Sequence, residues 1–489
     1  FTTMEFSDQK QMMSQHYWDL WNADEQARID EDIERNRKAD ANLLLGADAA
    51  GAKVTVRQKK SDFFFGAHIF NFNQLGSHEL NEKYRALYGD IFNAATVAFY
   101  WDPFEPVEGK MRFVESEGDD ESFWNGCKAP KRERFWRRPC TDPVIDFCTS
   151  KGLRVHAHPM VWTNRTWHYP KWLMAKLPKE ILLDLVSMER EGGNVRQKTP
   201  EEVAKLAPGF VDAFRDALEK RIASIAGRYG SKIDSVDVVN ESAGDFGSSR
   251  FGGARGALNP ELPICMADYQ YPTFMPPAFD ILAFDLCTKY FPASTKLNIN
   301  DYDMSARYRD QTRNLLSRGK KIDLQGLQMH LFNPEQCARI AAGVSDEQAP
   351  WAVRKNLVTV DAGLPQVMSE LTITSAGEGL RGEAIQSVIA HNLYRLWFSR
   401  PQMQGITWWN SVDECGAPGE PSISGVCRRD LSPKLVYHTL KHLVNEAWRT
   451  SLTSTAGEGG ALSFRGFKGT YAIEWEDAEG KHKRSFDLN

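Results

Sequence analysis

Between residues 62 and 447, short apolar runs alternate with amphipathic stretches. The apolar runs are FFFGAHIF, AATVAFYW, LRVHAHPMVW, IDSVDVVNE, KLNINDY, IDLQGLQMH, LPQVMSEL and GITWWN. Between them lie segments with helical spacing, such as PGFVDAFRDALEKRIASIAGRYG and RGEAIQSVIAHNLYRLWFSR. A run buried on both faces reads as a strand of a parallel sheet, and strand-then-helix repetition builds such a sheet. Eight such units are the number that closes a barrel, so the pattern predicts an α/β protein with a (β/α)8 TIM barrel.

The two ends have another texture. Residues 7–38 are polar and helix-friendly, predicting one or two surface helices. ANLLLGADAAGAKVTVRQ then alternates around a glycine-containing turn and predicts a β-hairpin. The tail, ALSFRGFKGTYAIEWEDAEGKHKRSFDLN, reads as three strands with turns at Lys468-Gly469 and Glu479-Gly480. Neither end is long enough to hold a core alone. Both are therefore expected to pair into one small accessory β-domain, giving segments 1–61, 62–447 and 448–489.

Composition narrows the function. A formal charge of −5 without a long basic run argues against a nucleic-acid partner. No apolar run reaches the ~18 residues that a membrane span needs. The 14 Trp and 14 Tyr suit stacking on sugars, although aromatic rings also fill large cores. Eight cysteines without a CxxC pair argue against a structural zinc site. An even count permits disulfides without proving any; Cys127 and Cys140 bracket one loop-like stretch and Cys415 and Cys427 another, so these are the first pairs to test as bridges, and Cys148 and Cys287 read as core thiols.

Polar residues collect at the C-terminal ends of the predicted strands: His156 and His158, Asn240 and Glu241, Asn300 and Asp301, Gln328 and His330, Glu370, and Trp408 and Trp409. In a barrel that edge is where active sites form. Two of these residues are glutamates, on the fourth and seventh strands, which face each other across the lumen. Paired carboxyls are what glycoside hydrolysis requires. A single such glutamate reads better as a helix cap; two, each at a polar strand end, read as chemistry. His156 and His158 lie on one side of their strand, so a metal-dependent hydrolase that also uses Asp301 and His330 is a second reading.

With these residues in hand, the chain resembles glycoside hydrolase family 10, the xylanase family. DVVNE (237–241) resembles the acid/base motif and MSELTI (368–373) the nucleophile motif. The resemblance implies Glu241 as proton donor, Glu370 as attacking carboxylate and Asn240 as partner of the sugar 2-hydroxyl. GLQMH (326–330) implies that His330 holds the nucleophile and Gln328 lines the site. HAHPMVW (156–162) implies sugar contacts by His158 and Trp162, and ITWWN (406–410) implies Trp409 as a platform. KLNINDYD (296–303) fits the fifth strand and SGVCRRDLSPKLVYHTL (424–440) the segment closing the barrel.

Several positions depart from that family. Its second strand usually ends in a Glu-Asn pair followed by a lysine; TVAFYWDPFEP (96–106) has neither. Thr163 and Arg165 stand where the family has a histidine and a glutamine, and ECGAPGEPS (414–422) does not supply the usual second tryptophan. Tyr100 and Arg165 are therefore additional candidates for substrate contact, and the grip on the substrate is expected to be altered.

The resemblance implies a retaining endo-β-1,4-xylanase-like enzyme without a cofactor, acting on a polysaccharide. It is expected to be a monomer, and secreted, periplasmic or cell-surface associated. The alternatives are the same chemistry on a decorated or non-xylan β-glycan, the metal-dependent hydrolase, and a carbohydrate-binding protein that kept only the fold.

Overall fold

The computed structural model describes residues 3–162, 165–190, 205, 207–246 and 278–489. Helices Phe6–Lys10, Gln15–Leu20 and Ala23–Arg37 come first. Ser14 and Asn22 cap the second and third by accepting N–H bonds from Tyr17 and Glu25. Ile29 and Ile33 are buried, and Tyr17 accepts a hydrogen bond from Asn392 Nδ2 at 2.8 Å. That residue lies on the long helix Leu380–Ser399 beside the barrel.

Strands β1 (Lys38–Leu44) and β2 (Lys53–Ser61) follow. The barrel then takes β3 (Phe64–His68), β4 (Ala94–Ala98), β5 (Arg154–His158), the two-residue β6 (Val161–Trp162), β7 (Ser235–Asn240), β8 (Lys296–Asp301), β9 (Leu324–Leu331), β10 (Gln366–Ile373) and β11 (Met403–Trp408). All pairings among them are parallel, and β5 closes the ring onto β7 through His156↔Ser235 and Ala157↔Val236. The eight predicted runs are thus the eight barrel strands, with β6 continuing the line of β5 past Pro159 and pairing with β7. Every residue of β3, β4, β7 and β10 is buried. Helices cover the outside and side chains fill the lumen, so these strands have no polar face.

The tail forms β12 (Ser451–Thr455), β13 (Ala461–Phe467), β14 (Gly469–Asp477) and β15 (Gly480–Leu488). The expected hairpin at residues 41–58 does not form. β1 pairs with β13, whereas β2 is held between β12 and β14. Val54 and Val56 are fully buried and pack with Leu462, Tyr471 and Ile473. The tail offers β2 a partner on each edge, which a hairpin does not. The two chain ends therefore meet in shared sheets, as expected. β12 was not anticipated, because SLTST carries almost no apolar signal.

Neither candidate bridge forms. Cys127, Cys140, Cys415 and Cys427 are free thiols, as are Cys148 and Cys287. Cys140 instead donates its S–H to Asp119 Oδ2 at 2.8 Å. Burial pushes Cys415 and Cys427 up to about 11 and about 12, so both stay protonated and pack as small apolar groups.

Candidate active site

The C-terminal rim of the barrel opens into a cavity of about 690 Å³. Tyr100, His158, Trp162, Asn240, Glu241, Gln328, His330, Glu370 and Trp409 all line it, so nine of the predicted residues meet there. Arg165 stands outside this lining, at the head of the short turn Thr166–His168. Thr163 lies outside the described residues, as does most of the Gly244–Phe274 stretch expected to shape the site.

Glu241 follows β7 directly, in a left-handed backbone conformation, φ 59°. For a residue with a side chain this costs roughly 1–2 kcal/mol. Its N–H donates to the Asn300 carbonyl at 2.8 Å, and its Oε2 accepts the indole N–H of Trp162 at 3.0 Å. Trp162 in turn lies flat on His168, with ring centroids 3.8 Å apart. Glu370 is 5% exposed. Its Oε2 accepts from Asn300 Nδ2 at 3.0 Å, and its Oε1 lies 3.4 Å from His330 Nε2.

Burial pushes Glu241 up to about 7, and the charge of Glu370 adds to that effect. Burial likewise pushes Glu370 up to about 8. Two desolvated carboxyls in one cavity titrate as a unit, holding about one proton between them near neutral pH. Burial also lowers His330 to about 4, so its ring is neutral. The hydroxyl of Thr372 lies 2.7 Å from His330 Nδ1. With the hydroxyl donating there, Nε2 keeps its hydrogen and turns it toward Glu370.

Asn240 Oδ1 accepts from Asn300 Nδ2 at 2.9 Å and from Gln328 Nε2 at 3.2 Å. Its own N–H groups are left for the cavity. Beneath the site, His158 Nδ1 and His156 Nε2 lie 2.6 and 2.8 Å from the same Asp237 oxygen. Burial opposes ionisation of Asp237, but the two imidazoles hold it down to about 2. The residues of the metal reading are engaged elsewhere: Asp301 accepts the N–H groups of Ala243 and Asp303, each at 2.9 Å, and His330 faces Glu370.

Trp409 meets His158 edge-on at 5.5 Å and Phe70 at 5.3 Å. Tyr302 and Phe332 line the same cavity and stay 63% and 41% exposed, and the Phe332 ring stacks on His330 with centroids 4.5 Å apart. Both were missed in the sequence, together with Arg137, Arg138 and Glu420, which also line the cavity. Tyr302 had a signal, since it follows Asp301 directly at a strand end. The other four sit in loops or just past a strand, where no period marks a position.

An eight-stranded barrel that gathers two carboxyls, amides and aromatic rings at its C-terminal rim defines a class: the glycoside hydrolases. Within that class the chain belongs to glycosyl hydrolase family 10, whose family model matches residues 128–440. The match begins after β4, so the strands leading to His68 and Tyr100 lie before it.

The chain is 26% identical over 280 residues to endo-1,4-beta-xylanase 2 of Aureobasidium pullulans, covering 56% of this chain and 62% of that one. It is 23% identical over 349 residues to an anti-sigma-I factor of Acetivibrio thermocellus, covering 71% and 36%. It is 21% identical over 467 residues to endo-1,4-beta-xylanase 1 of Arabidopsis thaliana, covering 90% and 36%. The aligned parts thus span between about a third and two thirds of these relatives' lengths. Xylanase 10B from Thermotoga petrophila, solved with xylobiose, superposes with a TM-score of 0.51 at 18% identity, over 79% of this chain and 95% of that one. That likeness carries the barrel fold.

Proposed function

We propose that the protein hydrolyses β-1,4-xylosidic bonds of a xylan-type polysaccharide by retaining double displacement. The observation that carries this reading is the meeting of Glu241, directly after β7, and Glu370, within β10, in one cavity. Glu370 is the nucleophile. The amide of Asn300 donates to it and the neutral His330 turns a hydrogen toward it, and both favour its anion. Glu241 is the acid/base, kept protonated by burial and by the neighbouring charge.

In the first step the Glu370 carboxylate bonds to the anomeric carbon while the bond to the leaving oxygen breaks. Glu241 gives that oxygen its proton, and the released chain leaves as an alcohol. Glu370 is now an ester, so the charge opposing ionisation of Glu241 is gone. In the second step Glu241 takes a proton from water, the water oxygen bonds to the anomeric carbon, and Glu370 leaves as carboxylate. Asn240, with its oxygen engaged by two amides, presents N–H donors to the sugar 2-hydroxyl. Trp409, Tyr302 and Phe332 supply stacking surfaces. A polymeric substrate does not cross a membrane, so the enzyme meets it outside the cytoplasm: secreted, periplasmic or at the cell surface.

The test is proton NMR of the first sugar released from unsubstituted xylan. A β-anomer appearing before mutarotation is expected. An α-anomer overturns the retaining mechanism. Xylan that stays intact while β-linked aryl glycosides are cleaved moves the substrate to another β-glycan.

A further inference from the structure

Arg137 and Arg138 enter the cavity from the long loop between β4 and β5. Arg137 is 3% exposed and partnered through Nη2. Its Nη2 donates to Asn410 Oδ1 at 3.0 Å, and a Glu420 carboxylate oxygen lies 3.9 Å away. Glu420 is itself held by Asn410 Nδ2 at 2.6 Å and by the Ala417 N–H at 3.0 Å.

Arg138 differs. Among the described residues no carboxylate lies within ion-pair distance of it. One nitrogen, Nη1, donates to the Arg137 carbonyl at 2.9 Å. The guanidinium lies 3.8 Å above the centroid of the Tyr100 ring and 5.5 Å from that of Phe70. Burial lowers this group to about 10, the mark of a cation held away from water. Tyr100 packs against His158 and Trp162, at 5.3 and 5.4 Å between centroids, and its hydroxyl has no partner among the described residues. A cation stacked by its face on one ring keeps its N–H edge for a ligand.

We propose that Arg138, seated on Tyr100, forms a subsite for a carboxylate carried by the substrate, that is, for a uronic acid substituent on the glycan. This deepens the function proposed above and rests on it. A guanidinium edge matches a carboxylate with two parallel hydrogen bonds, which it does not do for a neutral hydroxyl. The cavity already holds the carboxyls of Glu241, Glu370 and Glu420, and Arg137 sits beside the last. An acidic substrate would be repelled there without a second cation. Arg138 is that cation, and it stands on Tyr100, two residues past the end of β4.

The test compares xylan carrying uronic acid side groups with the same polymer after its carboxyls are reduced to hydroxymethyl groups. Branching is identical in the two, and only the charge differs. The wild type is expected to show kcat/KM about tenfold higher on the acidic polymer. Added salt should narrow that ratio. Arg138→Gln should bring the ratio to about one, mainly through KM on the acidic polymer, and Arg138→Lys should fall between. A wild-type ratio near one overturns the subsite, and so does an unchanged ratio in Arg138→Gln.

Titration calorimetry of the wild type with an acidic xylo-oligosaccharide and its reduced form separates this inference from the hydrolytic one. If no xylan is cleaved but the acidic form binds about tenfold tighter, the subsite stands and the hydrolytic reading falls. Equal binding overturns the subsite whatever the activity.

Discussion

Asn300 Nδ2 lies 3.0 Å from Glu370 Oε2, and the same nitrogen lies 2.9 Å from Asn240 Oδ1. One amide from β8 thus fixes the carboxylate of β10 and the amide of β7 in a single frame. Gly326 on β9 leaves room for it: a Cβ there would stand 2.4 Å from Asn300 Oδ1. Asn300→Ala should lower kcat by about 10–100-fold, the range expected for losing a hydrogen bond to a charged group. Gly326→Ala should lower it in the same direction by displacing Asn300. Steady-state kinetics with circular dichroism as a folding control check both, and full kcat in Asn300→Ala would refute the frame.

Glu370→Ala and Glu241→Ala should each reduce xylan turnover by at least ~10²–10⁴-fold. The two differ on an aryl xyloside with an acidic phenol, whose departure needs no proton. There Glu241→Ala should release a burst of phenol and then slow, as the glycosyl-enzyme waits for a base. Glu370→Ala should release none. Stopped-flow phenolate absorbance distinguishes these outcomes, and normal turnover by a folded Glu370→Ala protein would sink the assignment.

Activity should fall as pH rises past about 7–8, because the buried Glu241–Glu370 pair then loses the one proton that Glu241 must carry into the reaction. Stability should follow the same direction. A carboxyl whose folded pKa lies above its unfolded value near 4.3 favours the folded state fully at low pH and loses that contribution as pH rises through its folded pKa. Glu241→Gln should therefore be more stable than the wild type at pH 8.5, by on the order of 3–4 kcal/mol, and about equal to it at pH 4. Chemical denaturation at the two pH values measures this.

Dialysis against a strong chelator should leave hydrolysis unchanged. The imidazoles of His156 and His158 both face Asp237, and Asp301 serves two backbone N–H groups. Loss of activity on chelation, restored by zinc, would favour the metal-dependent reading.

Arg221 is fully buried, and it donates to the carbonyls of Phe99, Pro159 and Met160. These carbonyls belong to the strand ends that carry Tyr100 and Trp162. Arg221→Met should destabilise the fold by roughly 3 kcal/mol, since it leaves buried carbonyls unpaired. A denaturant midpoint equal to that of the wild type would contradict this role.

The barrel was legible because most residues of its strands are buried on both faces, and such strands read as largely apolar runs such as AATVAFYW or GITWWN. The polar residues that end those runs were legible for the same reason: Glu241 and Glu370 interrupt apolar stretches that packing alone would continue. The hairpin at 41–58 was misread because alternation reports which side of a strand is buried, not which strand lies beside it. β2 found its neighbours some 400 residues away, in β12 and β14.

The chain itself determined the number of barrel strands, the rim on which chemistry gathers and the two carboxyls that meet there, because burial along a strand is a local, periodic property. Tertiary structure alone decided which loop side chains complete the cavity. Arg138 lies in a stretch without periodicity, and nothing in its neighbours marks it for Tyr100. Only closure of the barrel brings the guanidinium to 3.8 Å from that ring and leaves it without a carboxylate partner among the described residues. Local pattern governs which side chains are buried, whereas long-range packing governs which of them meet.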